Sequence, residues 1–498
     1  MENCKNLRDV VRYSDFGAVG DGTVDDYDAI VATHEYANEH SLRVEADPGA
    51  TYYIAKFGKS AIIKTDVDWR DAKFIIDDRS VMIDDRFHWI FTVASDREER
   101  TLDLPKGFNL KNTDTNVGLK FERGVLLFIE NENEKVYLRY MKNRQGEPRI
   151  GAGYNKQEVV IVDGDGNLDA STPLIFDYPE VTALRAYATD DKPVTVKGGV
   201  FTTWANVQEG GSIYYRRGIY VSRSNTTLCG VTHLIDKEPE GERASCPYIG
   251  FFFAEYTSNI TFDSCVMTSH KTYASGTYDT QVMRATGITW RGCTQSNAID
   301  LFAKGYWGVM ASKFSKNLTY DGCVLSRFDA HEGAYNVTVK NSVIGEVINI
   351  VGGGRALIEN TTVTSGNKNY FIRIREDYGS TWNGDIYVKN CKMCVTDEEQ
   401  RAYIIRADWN EHYFGYGCYV PNLYVDGFSV ERSCGAPFDG SLSIFKSLAN
   451  TDEDLRNNGT NPLGAPEEFF FSGITHPFEV MENRRNDIII SDTKITKQ

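Results

Sequence analysis

The residues Arg327-Phe328-Asp329-Ala330-His331-Glu332-Gly333 bring a guanidinium, two carboxyls and an imidazole into one short stretch. In an extended chain alternate side chains share a face, so Arg327, Asp329 and His331 should project together. Arg327 would then hold Asp329 ionised, and Asp329 would raise the pKa of His331. Such a set can exchange protons with a substrate near neutral pH. The plainer reading is a polar turn holding a satisfied histidine.

Three further segments carry chemistry-bearing side chains at related positions in the chain. TSHKTYASGTYDTQ holds His270, Lys271, Tyr278 and Asp279; NAIDLFAKGYWG holds Asp300 and Trp307; FIRIREDYGSTW holds Arg373, Arg375, Asp377 and Trp382. Acid–base hydrolysis needs one protonated carboxyl and a second that acts as base or nucleophile. Asp300 and Asp329 are the expected pair, with Glu332 behind them. His331 completes the expected catalytic set. Arg327, His270, Lys271, Asp279, Arg373, Arg375 and Asp377 are expected to bind substrate. Arginines suit a carboxylate, and Trp307 and Trp382 could stack on sugar rings. An ion pair between the arginines and Glu376 or Asp377 is the structural alternative.

These segments follow successive copies of one phrase, and that phrase must position them. It reads NTTLCGVTHL from Asn225, NITFDSCVMTSH from Asn259, GITWRGCTQSN from Gly287, NLTYDGCVLSR from Asn317, NVTVKNSVIGE from Asn336, RALIENTTVTS from Arg355, DIYVKNCKMCV from Asp385 and NLYVDGFSVER from Asn422. An earlier copy, PVTVKGGVFTT, starts at Pro193. Each copy is a turn residue, an alternating strand, a small-residue bend and a second short strand. One such unit cannot bury its apolar face alone, so the units must stack as a parallel β-solenoid. Asn317 to Asn336 and Asn336 to Arg355 are each 19 residues, the shortest spacing and the expected bare rung. Longer spacings are a rung plus a loop, and loops beside a rigid scaffold carry function. Cys265, Cys293, Cys323 and Cys391 share one offset with Gly199, Ser342 and Thr361, which predicts an inward stack of small side chains. The N-x-T sequences at Asn225, Asn259, Asn317 and Asn336 fall at one phase and are expected to be turn residues.

The formal net charge of −16 argues against nucleic acid as a partner. No run of about 18 apolar residues predicts a membrane span, and the start MENCKNLRDVV has no leader-like apolar stretch. The chain as given is expected to be cytoplasmic. The ten cysteines match no disulfide framework or zinc pattern, and Cys391 with Cys394 is a lone CxxC. No cofactor and no metal site are expected. Segments GVLLFIENENEKVYLRYM and KQEVVIVDGDGNLD read as antiparallel strands with polar turns. The expected organisation is a cap and first rungs over 1–99, an antiparallel β insertion over 100–190, the main coil over 191–435, and a loop with a last strand over 436–498.

Residues Tyr13 to Ile30, YSDFGAVGDGTVDDYDAI, closely resemble the entry motif of the pectate-lyase-like superfamily of right-handed parallel β-helices, which includes polygalacturonase-like glycosidases, pectate-lyase-like proteins and phage tailspikes. The resemblance implies an all-β right-handed parallel β-helix. Its N-terminal helix, capped by Asp25 or Asp26, would close the open end. FDAHEG resembles the FDPHE-type motif of mannuronan C5-epimerases with Ala330 in place of proline, which would carry Asp329, His331 and Glu332 over to uronate chemistry. IRIRED loosely resembles the RIK element of polygalacturonases, but their NTD and GHG motifs are absent.

The expectation is therefore a carbohydrate-active enzyme on an oligo- or polysaccharide, with a paired-carboxylate glycoside hydrolase first. A uronate-directed lyase or C5-epimerase using His, Arg and Lys is second. A non-catalytic glycan-binding or tailspike-like protein is third. The oligomeric state is open, with a homotrimer among the options.

Overall fold

The computed structural model describes residues 9–142, 146–210, 213–241, 243–268, 270, 278–296, 310–366, 368–408, 414–447, 463–482, 490–491 and 493–498. The phrase copies coil into a right-handed parallel β-helix. Val67–Asp77 pairs in parallel with Val194–Trp204, and the ladder continues through Ser258–Asp263, Thr286–Arg291, Met310–Asp321, Phe328–Lys340, Gly352–Glu359, Trp382–Val395 and Asn422–Arg432. Along each strand alternate residues turn inward, so Ile260, Ile288, Leu318, Val337, Ala356, Ile386 and Leu423 stack into one apolar column.

Both small-residue columns behave as their phase requires. The thiols of Cys265, Cys293 and Cys323 are buried and donate to the carbonyls of Leu228, Phe262 and Trp290 on the preceding rung, at 3.4, 3.2 and 3.3 Å. Asn225, Asn259, Asn317 and Asn336 all adopt left-handed backbone, φ +54° to +58°, which asparagine tolerates better than most residues. Their side chains form a ladder: Asn336 Nδ2 donates to Asn317 Oδ1 at 3.0 Å, and the Arg355 N–H donates to Asn336 Oδ1 at 2.9 Å. Cys391 is buried and Cys394 half-buried, three residues apart on an alternating strand, so the two face opposite sides of the sheet.

The helix Tyr27–His40 covers the open end with Tyr27, Ile30, Val31, His34 and Ala37 inward. Asp25 Oδ1 accepts from the Tyr27 N–H at 3.0 Å, in the first turn, while Asp26 accepts from the Val19 and Gly20 N–H groups and closes the turn before it.

Between Phe91–Val93 and Val194 the chain leaves the coil and returns one rung later. It builds a four-stranded antiparallel sheet from Glu99–Thr101, Val125–Val136, Tyr154–Val162 and Ala183–Ala188. Val125, Leu127 and Ile129 pack into this unit's own core, and Leu126 and Phe128 face the coil beside Tyr256. A buried ion pair, Lys316 Nζ to Glu158 Oε2 at 2.7 Å, ties the unit to the rungs. Asn317 Nδ2 also donates to the Ser171 carbonyl at 2.9 Å. In the DGDGN turn, Asp163 accepts the Asp165 and Asn167 N–H groups, so the turn is closed by its own side chains.

The parallel ladders do not stop near residue 435. Ser441–Phe445 pairs with Arg401–Arg406, Glu468–Ile474 with Asn422–Arg432, Phe478–Met481 with Ser441–Phe445, and Lys494–Lys497 with Glu468–Ile474. At the start of Glu468–Ile474, Asn422 of the preceding rung accepts the Glu467 and Glu468 N–H groups.

Candidate active site

Phe328 and Ala330 point into the core, which turns Arg327, Asp329 and His331 outward as the alternation predicts. The pairing then slips: Ser312 lies opposite Ala330 and Lys313 opposite Glu332, leaving His331 as an extra residue. This β-bulge lets His331 and Glu332 face the same side although they are adjacent in sequence. Gly333 follows at φ +65°, where a Cβ would lie 2.3 Å from the Tyr137 hydroxyl, so only glycine lets the insertion approach this closely.

Asp329 is fully buried between two arginines. Arg327 Nη2 donates to Oδ2 at 2.7 Å and Arg375 Nη1 to Oδ1 at 3.0 Å. Burial alone would raise its carboxyl, but Arg327 and Arg375 outweigh burial and hold it well below the usual carboxylate range. Arg375 also grips Asp377 through Nε at 3.0 Å and Nη2 at 2.7 Å, and Arg139 of the insertion adds a bond to Asp377 at 2.7 Å. Burial pushes the Asp377 carboxyl up, and these guanidinium groups bring it far down.

His331 sits between the two halves. Arg375 Nη1 lies 2.7 Å from Nδ1. A guanidinium can only donate, so Nδ1 carries the lone pair and Nε2 the proton. That proton faces Glu332 Oε1 at 3.2 Å. Burial lowers the pKa of His331, Glu332 pushes it back up, and Arg375 lowers it again, leaving it below its ordinary value. The expected rise is therefore corrected: Asp329 Oδ2, 3.8 Å from Nδ1, does act in that direction, but burial outweighs it. The shift favours the neutral imidazole.

Glu332 accepts from the Tyr378 hydroxyl at 2.9 Å and pairs with Lys313 Nζ at 3.0 Å, and Lys313 also donates to Tyr154 Oη at 3.1 Å. Burial would raise Glu332, but His331, Lys313 and Tyr378 bring it below its ordinary value. Lys313 is shifted the other way: burial lowers it, and Glu332 and Tyr154 more than restore it. Arg139, Lys313, Arg327 and Arg375 thus face Asp329, Glu332 and Asp377, four cations against three ionised carboxylates. Glu346, at the edge 3.7 Å from Arg327, is shared with Lys368.

Of the expected residues, the structure brings Arg327, Asp329, His331, Glu332, Arg375 and Asp377 together. Arg373 faces outward two rungs from Asp329 and is committed to Glu376. Three others are turned away. Trp382 is fully buried, with Nε1 donating to the Gly354 carbonyl at 3.1 Å, because the inward phase of its strand takes it into the core. His270 is buried against Tyr248 and bonds Glu238 at 3.0 Å. Asp279 is buried and accepts from the Thr268 N–H and His233 Nδ1, each at 2.6 Å, while its neighbour Tyr278 is the residue that edges onto His331. Lys271, Asp300 and Trp307 lie outside the described residues. Sequence reasoning missed Lys313, Tyr378, Tyr154 and Arg139. Lys313 lies opposite Glu332 one rung earlier, and Tyr378 follows the IRIRED motif directly. Tyr154 and Arg139 come from the insertion, and nothing in their spacing points to the site. Among the described residues no group of three or more His, Cys, Asp or Glu side chains is arranged to hold a metal ion.

No protein-family model and no curated protein matches the sequence. Solved structures do match. The tailspike protein gp49 of Pseudomonas phage LKA1 aligns with a TM-score of 0.52 at 13% identity, over 94% of this chain and 81% of that one. The Gp54 tailspike of Acinetobacter baumannii bacteriophage AP22, in complex with a capsular saccharide, gives 0.47 at 9% identity over 98% and 79%. Endo-xylogalacturonan hydrolase from Aspergillus tubingensis gives 0.45 at 13% identity over 92% and 100%. The first of these likenesses shows the fold, a right-handed parallel β-helix.

Proposed function

We propose that this chain acts on a uronate-containing polysaccharide and removes the proton at C5 of the sugar, with His331 as base. One observation carries the reading: an imidazole is held between a guanidinium and a carboxylate, in a site where Asp329, Glu332 and Asp377 are held below their ordinary pKa values and face Arg139, Lys313, Arg327 and Arg375. Abstraction next to a carboxylate builds negative charge on that carboxylate, and pre-placed cations stabilise it. The substrate carboxylate docks against Arg375 and Lys313. As Arg375 Nη1 turns to it, Nδ1 of His331 is freed and takes the C5 proton. Glu332, already accepting the Nε2 proton, stabilises the imidazolium, as a carboxylate does for histidine in a hydrolytic triad. Tyr378 and Tyr154, whose hydroxyls burial and Glu332 keep protonated, can then supply a proton. Delivered to O4 as the C4–O4 bond breaks, it completes an elimination; delivered to C5 on the other face, an epimerisation.

Paired-carboxylate hydrolysis needs one carboxyl protonated near neutral pH, and Asp329, Glu332 and Asp377 are all shifted the other way, while Asp300, the expected partner of Asp329, lies outside the described residues. The likeness of FDAHEG to the C5-epimerase motif supports the uronate reading. The test is a panel of polyuronates followed for reducing ends and absorbance near 235 nm together. The reading expects new absorbance with cleavage, or altered C5 configuration without cleavage. Reducing ends with neither would overturn it.

A further inference from the structure

A cleft of about 370 Å³ lies well away from His331, between the insertion strands Glu99–Thr101 and Ala183–Ala188 and the coil. Its floor is hydroxyl-rich, with Ser222, Thr257 and Ser258, and its walls are aromatic, with Tyr187, Tyr220 and Tyr256. Tyr187 stacks on Tyr256 at 4.9 Å, and Arg185 lies over Tyr256 and bonds its hydroxyl at 3.3 Å, so the walls are held rigidly. Thr257 is 2% exposed, and its hydroxyl has no hydrogen-bond partner among the described residues. Buried hydroxyls are ordinarily paired, and Thr257 and Tyr187, both lining this cleft, each carry one that is not. Fixed aromatic rings beside hydroxyls and an arginine suit a sugar ring, which has apolar faces and a polar rim.

The cleft and the active site share one face of the coil. Glu255, Met283, Lys313 and Glu332 are successive partners on adjacent rungs. Glu332 is therefore three rungs, about 14 Å, beyond the Tyr256 end of the cleft. Both sites are walled by the insertion, through Leu126 and Phe128 at the cleft and Tyr154 and Tyr137 at the active site.

We infer that this cleft is a distal subsite that holds another sugar residue of the chain whose uronate reacts at His331. The inference rests on the proposed function, and it makes the protein selective for chains long enough to reach both places. The test uses the full-length protein with His331→Gln to block turnover, titrated calorimetrically with size-graded oligomers of the polyuronate panel, alongside turnover by the parent. Ser222→Trp would fill the cleft from its floor, and Thr257→Val would remove the unpaired hydroxyl while keeping its shape. The expected result is at least a tenfold loss of affinity for hexasaccharides with Ser222→Trp, a smaller loss with Thr257→Val, and unchanged affinity for disaccharides. Equal hexasaccharide affinity in folded Ser222→Trp and Thr257→Val proteins would overturn the subsite alone. Length-dependent binding that both variants weaken, without turnover of any substrate, would keep the subsite and overturn the proposed reaction. No binding of any oligomer by the parent would overturn both.

Discussion

Replacing Glu332 by glutamine separates the electrostatic role of its carboxylate from its shape. The amide keeps the volume but loses the charge that faces His331 Nε2 at 3.2 Å and Lys313 Nζ at 3.0 Å. Two effects follow. Glu332 is the main influence raising the pKa of His331 against burial, so in E332Q the histidine stays neutral to lower pH. The acid limb of kcat/KM should move to lower pH. The imidazolium formed in the reaction loses its partner, so the plateau rate should fall by about 10²-fold or more, the usual scale for losing acid–base assistance. Lys313 also loses its buried counter-charge. Breaking such a pair costs about 3–5 kcal/mol, and the Lys313 side chain is 17% exposed, which puts the cost at about 3 kcal/mol. At about 2.1 cal/mol/K per residue, a chain of 498 residues unfolds with an entropy of about 1 kcal/mol/K. The melting temperature should thus fall by about 3 °C. The assay is a pH–rate profile of parent and variant with a thermal melt of each. A plateau equal to the parent's, or an acid limb displaced to higher pH, would refute the reasoning.

Lys316→Met or Glu158→Gln alone should cost about 3–5 kcal/mol, because each strands a buried charge, while the double change should recover much of that; denaturant titration of all three variants measures it. Asn317→Ala should cost about 1–2 kcal/mol, since alanine resists φ +56° and the bonds to Ser171 and Asn336 are lost, while Asn317→Gly should cost less; thermal melts compare the two. His331, Asp329, Glu332 and Asp377 all have pKa values below their ordinary ones in the folded protein, so the unfolded chain binds more protons in acid. Stability should be full above about pH 7 and fall as pH drops, first as the unfolded imidazole titrates near 6.5 and then as the unfolded carboxyls titrate near 4; unfolding midpoints from pH 8 to 4 check the direction.

The coil was legible because stacking imposes a period. The sulfurs of Cys265, Cys293 and Cys323 and the left-handed asparagines each occupy one phase, and phase can be read along a chain. Part of the site was legible for the same reason: alternation over Arg327, Asp329 and His331 determines a face. What the chain does not display is anything that breaks alternation or crosses between distant segments. The bulge that turns Glu332 beside His331 shows only in the pairing with Lys313. Trp382 and Asp279 lie close in sequence to Tyr378 and Tyr278, which reach the site, yet their strand phase and turn geometry take them inward. Tyr154 and Arg139 reach the site because the insertion folds back on the coil, a contact over more than 170 positions that local pattern cannot carry.

The central claim is that hydrogen leaves C5. It is tested most directly by running the reaction in D2O on the polyuronate that is turned over and examining the product by NMR. The account predicts that each reacted unit has lost its original C5 hydrogen, either to a C4–C5 double bond or to deuterium. Products in which every C5 keeps its original hydrogen, with new reducing ends, would contradict it.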